Sequence, residues 1–119
     1  MDKTPEELIA AGKNAFEQGD YEEAIQLFAQ AETAYTEAGN YLDAAEAKNN
    51  LSVSLLQADR LQDALDAVMG TDQLFAKADD RKRQAMALGN QASALQALGR
   101  NAEALSAFQE SGRLFGEIG

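Results

Sequence analysis

The sequence predicts an all-α chain: an α-solenoid of three antiparallel helix pairs, six helices in all. Three observations predict it. First, 24 alanines stand against three isoleucines, two valines and four threonines, with one proline; Ala is the best helix former, whereas β-branched residues favour strands. Second, apolar residues recur at the helical period, as in Ala24, Leu27, Phe28, Ala31 and Tyr35. Third, the chain repeats itself without a gap at an offset of forty residues. Ala24 falls on Ala64 and Ala104, Ile25 on Leu65 and Leu105, Phe28 on Val68 and Phe108, and Tyr35 on Phe75 and Phe115. A period of roughly 20–50 residues marks stacked supersecondary units, none of which buries its apolar face alone.

The helices are expected near 5–18, 22–38, 41–58, 61–77, 81–98 and 101–117. The first opens with Thr4 as N-cap, Pro5 at the first helical position and Glu7 completing a capping box. It ends at Gln18-Gly19-Asp20, with Gly where a left-handed residue closes a helix. The second starts with a further box, Asp20 with Glu23, and ends at Gly39-Asn40. Asn40 with Asp43 approximates a box for the third, which stops at Ala58-Asp59-Arg60, so Asp59 must take the conformation that Gly19 takes in the first row. The fourth runs on to Asp79-Asp80. The fifth begins with Arg81-Lys82-Arg83, whose charge opposes the helix dipole; a salt bridge to Asp43, Asp79 or Asp80 is the plain explanation. The sixth follows Leu98-Gly99-Arg100. Turns this short force antiparallel neighbours.

At 119 residues the chain is one domain's worth, with repeats near 1–40, 41–80 and 81–119, whole or a piece of a longer protein. It has no Cys and no His, which excludes thiol nucleophiles, Ser-His-Asp machinery and Cys/His zinc sites. Asp59, Asp63 and Asp66 lack a calcium-loop pattern and read as a solvated helix turn. No enzyme, cofactor or metal is expected. The net charge of −10 argues against nucleic acid, whose affinity rests on clustered Lys and Arg. No apolar run approaches the roughly 20 residues of a membrane span, and the start is polar and acidic, so a cytoplasmic protein is expected.

The segment Leu8-x2-Ala11-Gly12-x2-Ala15-x3-Gly19-Asp20-Tyr21-x2-Ala24-x3-Phe28-x2-Ala31 resembles the tetratricopeptide repeat. Leu51, Ser52, Leu55, Ala64, Val68 and Thr71 stand at the same offsets in the second row, and Leu88, Ala92, Leu95, Gly99, Ala104, Phe108 and Ser111 in the third. The resemblance covers essentially the whole chain. The usual repeat has 34 residues against forty here, which looks like the long-helix variety of kinesin light chains and of cell-polarity and spindle-orientation adaptors. Thr36 stands where a proline is usual. The resemblance implies a right-handed superhelix, a concave face lined by the first helix of each pair (helix A), and binding of a protein or peptide there.

On that face the resemblance places Lys13 and Glu17 in the first row, Glu46, Asn49, Asn50 and Val53 in the second, and Met86, Asn90 and Ser93 in the third. Asn50 and Asn90 recur forty residues apart; an amide carries donors and an acceptor and so matches a peptide unit, although caps or bridges between helices are the alternative use. A carboxylate clamp built on Lys13, Asn14, Asn49 and Asn50 is disfavoured, because Gly89 and Ser93 stand where bases are wanted. Phe16, Tyr21 and Tyr35 read as core more readily than as groove lining. Residues 1–58 hold 11 acids and 3 bases, which favours a basic or amphipathic partner segment or simply keeps the surface solvated. A second function is self-association: Leu114, Phe115 and Ile118 lie on a last helix with no following helix A, so an exposed apolar face is expected, covered either by a homodimer through this end or by the rest of a longer protein whose accessory domain this is.

Overall fold

A computed structural model describes residues 2–118. It shows α1 (Pro5–Glu17), α2 (Tyr21–Glu37), α3 (Tyr41–Gln57), α4 (Leu61–Val68), α5 (Thr71–Lys77), α6 (Arg81–Ala97) and α7 (Asn101–Ile118). Each helix packs on its sequence neighbour, apart from α4 and α5, which share one rod; α4 also meets α6, and α3 meets both α5 and α6. These are the six expected rods of an all-α solenoid, with the fourth made of two segments. Its extents are 45 × 31 × 23 Å. Among the described residues, no helix is long and apolar enough to cross a membrane.

One turn is used five times. Gly19, Gly39 and Gly99 have φ of 78°, 78° and 80°, and Asp59 and Asp79 have 64° and 57°. At each, the left-handed residue donates its N–H two carbonyls into the helix behind it, and the next residue donates to a carbonyl five back, as in Gly19 to Phe16 O (3.0 Å) and Asp20 to Ala15 O (2.9 Å). This pattern satisfies the last carbonyls of a helix. Asp59 therefore does take the conformation that glycine takes elsewhere.

The same turn corrects the expected caps. Thr4 forms the full box: Glu7 N–H donates to its Oγ at 3.1 Å, and its own N–H donates to Glu7 Oε1 at 2.9 Å. Asp20 and Asn40 make no side-chain cap bond. Their backbone N–H groups are already spent on Ala15 O and Tyr35 O, so the reciprocal half of a box has no donor. Asp80 keeps half a cap, accepting from Arg83 N–H at 3.1 Å.

The fourth rod, expected to be continuous, breaks at Met69 (ψ 128°) and Gly70 (φ 89°). Gly is a poor residue for a helix interior, and the equivalent positions in α2 and α7 hold Gln30 and Glu110. The Thr71 hydroxyl lies 2.8 Å from Val68 O and 3.2 Å from Asn49 Oδ1 and shares its proton between them, which satisfies the carbonyl freed by the break.

Small residues let the rods approach. Gly12 faces the Phe28 ring so closely that a Cβ would meet its Cε1 at 2.7 Å. Ser52 donates to Ala64 O and Ser111 to Ala85 O, both at 2.7 Å and buried. Ile25, Leu55, Ala64, Leu65, Ala94, Leu95 and Ala104 form a core that joins all three repeats near one set of turns. Surface ion pairs follow the stack, Lys48 with Glu32, both half-buried, and the exposed Arg60 with Glu22 and Arg81 with Glu117; an exposed pair is worth about 1 kcal/mol at most.

Candidate peptide-binding groove

The helices α1, α3 and α6 are the first members of the three pairs. Two adjoining hollows open on the first two of these, α1 and α3. The larger, about 170 Å³, lies between α1, α2 and α3 and is lined by Lys13, Phe16, Glu17, Phe28, Asn50 and Val53. Its wall is apolar because Gly12 admits the Phe28 ring, while Phe16 is held edge-on against Tyr21 at 5.2 Å between centroids. The smaller, about 90 Å³, is lined by Ile9, Lys13, Tyr35, Asp43, Glu46, Ala47 and Asn50. Lys13 and Asn50 are common to both.

The smaller hollow is acidic. The buried Tyr35 hydroxyl donates to Glu6 Oε2 at 3.0 Å. Burial first, then this bond and the nearby Glu6, Asp43 and Glu46 carboxylates, push its pKa up to about 12, since each disfavours a phenolate. Arg83 reaches across from α6 to Glu46 at 3.3 Å, pairs with Asp80 at 3.3 Å and lies over the Phe75 ring at 5.9 Å. Arg81 pairs with Asp79 and Glu117. Two of the three bases that oppose the α6 dipole are thus neutralised, by Asp79 and Asp80 as expected, and by Glu46 and Glu117 in place of Asp43.

Of the residues picked from the sequence, Lys13, Glu17, Glu46, Asn50 and Val53 come together around these hollows. Among the described residues no side-chain hydrogen bond engages the Asn50 or Asn90 amide, and both residues are half-buried. Asn49, expected in the groove, is buried, and its Oδ1 lies 3.2 Å from the Thr71 hydroxyl of α5, so that oxygen bridges inside the stack. Met86 is exposed; Asn90 and Ser93 lie along α6 apart from the hollows, with the Ser93 hydroxyl donating to Gly89 O. Phe16, Phe28, Ile9 and Asp43 also line the site. Phe16 reads from sequence as core, and only the Gly12 gap opposite Phe28 signals a pocket behind it.

At the other end, Leu114 is corrected as well: it is 4% exposed and packs on Ala85 and Leu88. Phe115 and Ile118 are exposed, and Leu105 and Phe108 join them. The forty-residue register identifies these two, because their counterparts Leu65 and Val68 are buried in the middle row. Asp63 meets Arg60, and Asp66 accepts from Gln62, so the two belong to surface pairs on α4.

The family model described as tetratricopeptide repeat matches residues 8–68, about half of the chain. No curated protein is significantly similar to it.

Proposed function

The chain belongs to the tetratricopeptide repeat family, and on that premise we propose that it is an adaptor holding a peptide or helical segment of a partner protein along the face of α1, α3 and α6. Domains of this family are protein–protein interaction scaffolds and typically catalyse nothing. The observation that supports this groove most is the convergence of Lys13, Glu17, Asn50 and Val53 on an open apolar hollow, with the Asn50 amide unengaged among the described residues. An unpaired amide at the rim supplies the donors and the acceptor that a peptide backbone needs. The acidic first half favours a basic or amphipathic segment by steering its approach. Met86, Asn90 and Ser93 extend the same face into the third repeat. Affinity capture from lysate, with partners identified by mass spectrometry, tests the reading. The Asn50→Ala/Asn90→Ala double variant should lose the captured partner; unaltered capture contradicts the groove.

A second reading, self-association through α7, would use the exposed residues Leu105, Phe108, Phe115 and Ile118. Light scattering decides it: a mass that stays monomeric at high concentration rules it out.

A further inference from the structure

Resting on the groove reading, we propose that the first two repeats select a segment by two side chains at once. A leucine- or phenylalanine-sized residue enters the hollow walled by Phe16, Phe28 and Val53, and a lysine or arginine two residues away enters the acidic hollow beside Tyr35.

The size of the first residue follows from the volume. The hollow holds about 170 Å³, and an apolar cavity of about 150 Å³ holds a benzene ring. A leucyl or phenyl group fits such a space, and an alanine leaves most of it open. The charge of the second residue follows from what surrounds the smaller hollow. Asp43 and Glu46 line it, and Glu6 accepts from the Tyr35 hydroxyl in its wall. Of these, Glu46 meets Arg83, which is itself divided between Glu46 and Asp80. Among the described residues neither Glu6 nor Asp43 has a cationic partner within salt-bridge distance, and Lys13 is the one base in the wall. An arriving guanidinium or ammonium relieves repulsion among three carboxylates, whereas a carboxylate adds to it.

The spacing follows from the shared wall. Because Lys13 and Asn50 line both hollows, the hollows adjoin, and side chains leaving one face of the ligand reach both. In an extended peptide those are residues i and i+2, roughly 6.5 Å apart. Asn50 then stands beside the backbone between them.

Fluorescein-labelled nine-residue peptides test this by anisotropy on the full chain. Their centres are Leu-Ser-Arg, Leu-Ser-Glu, Ala-Ser-Arg and Leu-Arg-Ser, each flanked by Gly and Ser. Leu-Ser-Arg should bind about tenfold or more tighter than the other three, and its affinity should fall as salt screens the charges. Asp43→Lys, at an exposed position, should abolish the preference for Arg over Glu; Val53→Glu should abolish the preference for Leu over Ala. Circular dichroism checks that both variants keep their helices. Equal or tighter binding of Leu-Ser-Glu, or preferences unchanged in the two variants, overturns the inference. If those peptides still depend on Asn50, the groove reading stands while this chemistry falls. If no peptide binds, the two-point selection is wrong, and the lysate capture judges the groove separately.

Discussion

Asp59 and Asp79 hold backbone angles that cost an ordinary residue roughly 1–2 kcal/mol and glycine nothing. Asp59 is exposed, its turn is made by backbone bonds, and three of the five equivalent positions carry Gly. Asp59→Gly should therefore stabilise the chain, by about 0.5–1 kcal/mol once the extra freedom of Gly in the unfolded state is set against the relieved strain. Denaturant unfolding measures it; a loss of stability would show that the Asp side chain does something the turn geometry does not reveal. Tyr35 offers a second check at this scale. Its raised pKa means that the folded state favours the neutral phenol. The sign is fixed: the contribution is intact below the ordinary value of about 10 and is lost as pH rises through about 12. An absorbance titration should show a late phenolate step near pH 12 that Tyr35→Phe removes. A wild-type titration without that late step would contradict the burial of Tyr35 together with its Glu6 contact.

The helices show what a single residue position means in each repeat. Tyr35, Phe75 and Phe115 are equivalent, yet they are 7%, 0% and 45% exposed. The first two are covered by the next helix A, α3 and α6; the third has none among the described residues. Phe75→Ala should cost about 3–5 kcal/mol, as for other buried aromatic truncations. Phe115→Ala should cost under about 1 kcal/mol in a dilute monomer, as surface changes do. A large loss for Phe115→Ala that grows with protein concentration would instead mean that α7 is covered by a second copy. The turns join these elements economically. Each residue that closes one helix precedes the residue that opens the next, so the helices meet at a constant spacing of twenty residues. The forty-residue repeat is two such units.

Over the whole molecule, the fold was legible because it rests on local signals. Alanine content, the 3.6 period, the left-handed turn positions and the in-phase copies all point to the same six rods. Two kinds of detail were not legible. The Asp20–Glu23 box looks complete in sequence and fails because the turn had already used the donor, a competition between neighbouring elements. The break at Gly70 depends on whether tertiary partners, here Thr71 and Asn49, hold the freed groups. The site was half legible for a similar reason. Lys13, Glu17, Glu46, Asn50 and Val53 follow from register along helix A, but the back wall comes from Phe28 on helix B through the Gly12 gap, and Asn49 differs from Asn50 only by which neighbour it meets. Photo-crosslinking in lysate shows whether the face of α1, α3 and α6 receives the partner. A benzophenone-bearing side chain is placed at Glu17, on the rim of the larger hollow, and separately at Gln26 on the exposed side of α2. A partner on that face gives a defined protein adduct from position 17 that disappears with Asn50→Ala, and none from position 26. An adduct formed equally or preferentially at position 26 would contradict it.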